Sequence, residues 1–200
     1  GVDGYVIQGN AKRLRHSQLG QGWHLIRQPQ RNLAINKLRR CILCDSGADM
    51  ILYGSGTKSI IQISKDIESG MSVNEMHNIP QTVYLAKEGD INGGIKDDDI
   101  ILHSHEECLA NKKAEAENYR HIEEESNKIH AQRLLQQTGK VFAVVNPPYP
   151  TMTTEELDAS FDLPYTRQPH PKYKGKKIPA FEMIKFSINM HHGCFGGCAF

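Results

Sequence analysis

Ala48 to Tyr53 is a short apolar run with Asp49 embedded, closed by Gly47 on one side and by Gly54-Ser55-Gly56 on the other. Its brevity and its glycine boundaries suit a strand rather than a helix, and consecutive apolar positions suit one buried in a parallel sheet. The glycine turn then opens a helix, predicted from about Lys58 to Ser69. Ile60, Ile61, Ile63 and Ile67 supply its apolar stripe, and Gly70 stops it. Asn74 to Ile79 leads into a second strand at Gln81 to Ala86. Strand, helix, strand is the order of an α/β domain.

Further along, Glu88 to Asp99 reads as a polar loop. Ser104 and Glu107 have the spacing of a capping box, which predicts a helical stretch through about Glu125. The pairs Lys113 with Glu117 and Glu124 with Lys128 stand four residues apart, as surface ion pairs on a helix do. Asn127 to Thr138 reads as a second helix ended by Gly139, and Lys140 to Asn146 as an apolar strand ended by Pro147, Pro148 and Pro150. Thr153 or Thr154 caps a short helix through Phe161. Leu163 to Pro179 holds four prolines and five lysines or arginines, the composition of an extended, solvated crossing between domains. Glu182 to Met190, with Met183, Ile184, Phe186, Ile188 and Met190 apolar, alternates toward a strand. The domain reading is therefore an unassigned segment at 1–40, an α/β domain at 41–146 with a helical insertion at about 103–138, a proline-rich linker at 147–180, and the start of a second domain at 181–200.

Charge excludes some functions. With 24 basic and 23 acidic residues the formal net charge is +1, so no general attraction to nucleic acid or to membrane surfaces is expected. No apolar run reaches the roughly 18 residues that span a bilayer, and no secretory leader pattern is visible. The expectation is a cytoplasmic protein.

Five cysteines, an odd number, make a poor disulfide framework. Cys41 and Cys44 form a CxxC that suggests a redox or zinc site, but the apolar residues around them favour partly buried thiols. His103, His105, Glu106 and Cys108 invite a metal-site reading, which their place at a solvated helix start argues against.

The other pair closes the chain, in Gly193-Cys194-Phe195-Gly196-Gly197-Cys198-Ala199-Phe200. Soft thiolate sulfur suits iron-sulfur clusters better than imidazole or carboxylate does. Glycines flanking the thiolates let the backbone approach an inorganic core closely. Read alone, the two cysteines also fit half of a zinc site, completed by Cys41 and Cys44, or buried thiols.

From about Arg39 onward the chain resembles the YgiQ-type radical S-adenosylmethionine (SAM) proteins. The resemblance rests on Ile42 to Gly54, Val144-Val145-Asn146-Pro147-Pro148, Thr154 to Asp158, Leu163-Pro164-Tyr165, His170-Pro171, Ile178-Pro179-Ala180, Phe186-Ser187-Ile188 and Gly193 to Cys198, in that order. The chain departs from the family in having Thr57 where a glutamate is usual and His192 where an arginine commonly precedes the cluster loop. Residues 1 to about 38 carry no resemblance.

The resemblance implies that this is the N-terminal part of a longer enzyme, ending inside the CxxxCxFC motif. It implies that Cys194 and Cys198 are two of three thiolates on a [4Fe-4S] cluster, with Phe200 beside SAM and the third thiolate supplied just after it. In the family the open iron chelates SAM, and an electron from the cluster cleaves it to a 5′-deoxyadenosyl radical. It further implies a reductant such as flavodoxin or ferredoxin, an α/β domain leading into the first strand of a (β/α) barrel, and a fragment inactive alone on an unknown substrate. The family's N-terminal region also looks like the cobalamin-binding type of α/β domain, although no Asp-x-His-x-x-Gly motif stands here. A different class of function stays open: residues 41 to 180 as a non-catalytic α/β module that recognises a partner or substrate.

Overall fold

The computed structural model describes residues 5–7, 31–32, 37–54 and 56–188. The chain divides into two compact units, Gly1–Met152 and Thr153–Phe200. The first is built on a six-stranded sheet in the order β1-β4-β5-β8-β7-β6, with a separate two-stranded pair of β2 (Arg31–Asn32) and β3 (Lys37–Leu38). Its strands are β1 (Tyr5–Ile7), β4 (Met50–Leu52), β5 (Thr82–Ala86), β6 (Ile100–Leu102), β7 (Leu134–Thr138) and β8 (Val141–Val145).

Every residue of β4 is buried because both faces of the sheet are covered. Side chains alternate across a strand, so Ile51 and Tyr53 enter one core with Val83, Ala143, Val145 and Leu134, closed by Leu43 and Ile122. Leu43 belongs to α1 (Ile42–Ser46) and Ile122 to α4 (Lys112–Ser126). Met50 and Leu52 enter the opposite core with Ile63 of α2 (Thr57–Glu68), Met76 and Ile79. Tyr84, Leu135, Phe142 and Val144 continue that layer with Ile91. The pairing Ile51↔Val83, Val83↔Val145, Val145↔Leu134 carries one apolar row across four strands. Each such fully buried side chain stabilises by about 1.5–3 kcal/mol.

The α/β class holds, but the expected parallel sheet does not. β1–β4, β4–β5, β5–β8 and β7–β8 are antiparallel, and only β6–β7 is parallel. After α2 the segment 69–81 carries the chain back to the end where the helix began: Ser59 Oγ donates to the Pro80 carbonyl at 2.9 Å, and Tyr53 N donates to Gln81 O at 3.0 Å. β5 therefore starts beside the end of β4 and runs against it. The mostly antiparallel arrangement also departs from the parallel sheet that a cobalamin-type domain would use.

Two further readings are corrected. Asn127 to Thr138 is no helix: residues 127–133 are irregular and Leu134–Thr138 is β7. Leu134 and Leu135 lie at the sheet centre, where pairing on both sides outweighs the helix propensity of Leu and Gln. Residues 182–188 are not a strand either, since Glu182–Ile184 ends the helix α6 (Pro179–Ile184). Pro179 at its first turn has the fixed φ that starts a helix. Ile42–Ser46, ahead of β4, is a helical turn ended by Gly47 in the left-handed conformation.

The helical insertion is α3 (His105–Ala110) followed by α4, which together cross from β6 to its parallel neighbour β7. The capping box forms as expected, with Glu107 N donating to Ser104 Oγ and Ser104 N to Glu107 Oε2. Lys113 pairs with Glu117 at 3.8 Å, whereas Glu124 pairs with Arg120 and Lys128 with Glu125. In the second unit Thr153 caps α5 (Thr154–Phe161), and the stretch from Leu163 to Lys177 is almost wholly exposed.

Candidate functional site at one end of the sheet

β4 and β8 both run antiparallel to β5, so their carboxyl ends emerge on one edge. Two motifs that lie far apart in sequence, the glycine turn after Tyr53 and Asn146-Pro147-Pro148, meet there. Gly54 and Gly56 sit at φ 72° and 64°, conformations that L side chains avoid. Gly56 precedes α2, which has no side-chain cap.

Asn146 knots this edge. Its backbone N donates to Thr82 O at 3.0 Å. Its side-chain Nδ2 lies 2.8 Å from His77 O, 3.0 Å from Ile79 O and 3.0 Å from Thr82 Oγ1. The Tyr53 hydroxyl donates to the Asn146 carbonyl, and Gln81 N donates to Pro147 O at 2.9 Å. Asn146 and Thr82 are buried, so each bond replaces water that cannot reach them.

Tyr53, Asn146, Pro147 and Pro148 line a cavity of about 100 Å³ with Glu125. The Glu125 carboxylate accepts from Gln132 N at 2.7 Å and from the Lys128 ammonium. That volume suits a few waters and falls below the roughly 300–1,000 Å³ of cofactor sites. The edge is a structural joint; its polar groups are spent on one another.

Burial disfavours the thiolate at each of the described cysteines. Burial pushes the Cys41 thiol up to about 12. Burial likewise raises Cys44 and Cys108, the latter with its sulfur 3.2 Å from Asn118 Nδ2. Neutral thiols of this kind are poor nucleophiles. His103 Nε2 contacts Glu117 at 2.9 Å, Glu106 accepts from Gly139 N at 3.0 Å, and His105 is buried. Among the described residues no three His, Cys, Asp or Glu side chains form a group able to hold a metal. Cys194, Cys198 and Phe200, with His191 and His192, lie outside the described residues.

Sequence reasoning missed Tyr53, Gln81 and Thr82 as partners of the Asn146 motif. Only chain return through segment 69–81 brings them together. No helix among the described residues is long and apolar enough to cross a membrane.

A family model described as radical SAM N-terminal matches residues 27–187. The match starts earlier than the resemblance read from Arg39 and ends seven positions ahead of Cys194. A UPF0313 protein of Bacteroides thetaiotaomicron is 53% identical over 176 residues, covering 82% of this chain and 28% of that protein. UPF0313 proteins of Porphyromonas gingivalis and Methanocella arvoryzae are 48% and 40% identical, over 26% and 27% of their lengths. The chain thus spans about a quarter of the length of the curated relatives it matches. No solved structure matches it.

Proposed function

The chain belongs to the radical SAM N-terminal family, and from that premise we propose that it is the N-terminal part of a YgiQ-type radical SAM enzyme of the cytoplasm. Cys194 and Cys198 supply two of the three thiolates for a [4Fe-4S] cluster. The observation that carries this reading is the juxtaposition of a family match over 27–187 with a glycine-flanked CxxxC immediately after it.

The donor chemistry fits. Iron-sulfur clusters take thiolates, and burial in the sheet unit raises the Cys41 thiol, which disfavours its thiolate. The resemblance of Gly193 to Cys198 to the family's cluster motif assigns the thiolates to Cys194 and Cys198, with the third supplied by the longer protein. When bound, such a cluster supplies the electron that cleaves SAM reductively. In this reading Cys194 and Cys198 would hold the cluster, Gly193, Gly196 and Gly197 would let the backbone approach it, and Phe200 would exclude water. Activity, substrate and reductant belong to the longer protein. In it the sheet unit serves as the accessory part, which reconciles this reading with the recognition-module alternative.

The test is anaerobic reconstitution of the longer protein with iron and sulfide. Stoichiometric iron and sulfide, lost in Cys198→Ala while the α/β unit keeps its circular dichroism, supports the assignment. Iron content unchanged in Cys198→Ala contradicts it.

A further inference from the structure

Within the second unit, an open hollow of about 460 Å³ is lined by His170, Tyr173, Lys174, Lys176, Phe181 and Glu182, among others. Two of the linker's basic residues, Lys174 and Lys176, therefore share one concavity. Consecutive turns fix that arrangement. Tyr173 N donates to His170 O at 2.9 Å, Lys174 N to Pro171 O at 3.0 Å, and Lys176 N to Tyr173 O at 2.9 Å. Gly175 takes φ 79°, which turns the chain between the two lysines.

Two lysines and one carboxylate line the hollow, so its charge is basic on balance. From Leu163 to Phe181 the sequence has no Asp or Glu. Neither Lys174 nor Lys176 is in an ion pair among the described residues. The carboxylate at the rim, Glu182, is taken by Lys185 Nζ at 2.8 Å. Tyr173, Ile178 and Phe181 give the wall an apolar portion, and Lys172 Nζ stands 4.8 Å from the Tyr173 ring centroid.

We propose that this hollow binds a nucleotide-class ligand, a phosphate-bearing anion with a planar aromatic base. Lys174 and Lys176 meet the phosphate as point charges. Tyr173 and Phe181 offer ring faces to the base, a contact every base can make. The volume lies within the range of small-ligand sites. The site shares no residue with the Cys194–Cys198 loop and does not depend on the cluster.

The test is calorimetric titration of the 200-residue chain with ADP and, separately, with inorganic pyrophosphate. Saturable ADP binding, weakened about tenfold or more in Lys174→Glu/Lys176→Glu, is expected. Tyr173→Ala should weaken ADP and leave pyrophosphate unchanged. The exposed control pair Lys112→Glu/Lys113→Glu should alter neither. Absence of saturable ADP binding, equal losses in the control pair, or an equal effect of Tyr173→Ala on both ligands overturns the proposal. All these positions are exposed, so circular dichroism of each variant should match the parent.

Discussion

The side chain of Asn146 reaches back to Thr82, its Nδ2 3.0 Å from the Thr82 hydroxyl while its own backbone N bonds the Thr82 carbonyl at 3.0 Å. The residue that follows β8 thereby fixes the first residue of β5, and the same amide ties down the carbonyls of His77 and Ile79. Within this unit the Asn-Pro-Pro motif is a clasp that sets where segment 69–81 delivers the chain.

Removing that clasp takes the amide donor from the His77 carbonyl and from the buried Thr82 hydroxyl, while the Ile79 carbonyl keeps the Thr82 hydroxyl. Asn146→Ala is expected to cost about 2–4 kcal/mol, read as a lowered urea midpoint. A loss under about 1 kcal/mol would show that water replaces the amide and that the clasp is dispensable.

Gln81 sits at φ 58°, a conformation costing a non-glycine residue roughly 1–2 kcal/mol. Gln81→Gly should leave stability unchanged or raise it, because relief of strain offsets the added chain entropy. Gln81→Val, branched at Cβ, should destabilise by at least about 1 kcal/mol. Equal urea midpoints for the two variants would contradict the backbone argument.

Arg133 clamps Asp99 through Nε at 2.8 Å and Nη2 at 2.6 Å, and also holds the carbonyls of Asn92 and Gly94. Burial pushes the Asp99 carboxyl up, but its hydrogen bonds from Arg133 and the Lys96 backbone hold it below its ordinary value on balance. A depressed folded value means that the pair stabilises above the unfolded carboxylate range near pH 4 and loses this as pH falls through the folded value. Arg133→Met should cost about 3–5 kcal/mol near neutrality by leaving a buried carboxylate unpaired. It should also erase this part of the acid sensitivity, measured by urea unfolding at several pH values. An acid limb identical to that of the parent would contradict the assignment.

How far the sequence could be read follows from which forces were local. α2 was legible from its stripe of Ile60, Ile63 and Ile67 and the stop at Gly70; the Ser104–Glu107 capping box and the Thr153 cap were legible because both partners lie within one turn. β4, β5 and β8 showed as apolar runs bounded by glycine or proline. Their pairing direction did not, because burial on both faces gives antiparallel strands the same continuous apolar pattern as parallel ones. β7 was hidden for a related reason: Leu134-Leu135-Gln136-Gln137 favours a helix, and only neighbours on both sides make it a strand. For α6, alternation of Met183, Ile184, Phe186 and Ile188 outweighed the helix-start signal of Pro179. The reading of Gly193 to Phe200 as a cluster motif rests on its cysteines and glycines alone, since those residues lie outside the described ones.

Cysteine chemistry separates the cluster from the zinc alternative. Cys41 is fully buried, its thiol raised to about 12 by that burial. It should resist alkylation near neutral pH in the folded protein, and Cys41→Ala should leave bound metal unchanged at a cost of about 1–2 kcal/mol in stability. About one zinc per chain, lost on replacing Cys41, would instead establish a Cys41–Cys44–Cys194–Cys198 site.

The most direct measurement is 5′-deoxyadenosine formation by the longer protein, reconstituted anaerobically and supplied with SAM and a reductant. The account predicts product that disappears in Cys194→Ala and in Cys198→Ala while the upstream α/β unit stays folded. SAM cleavage persisting in either variant would contradict it.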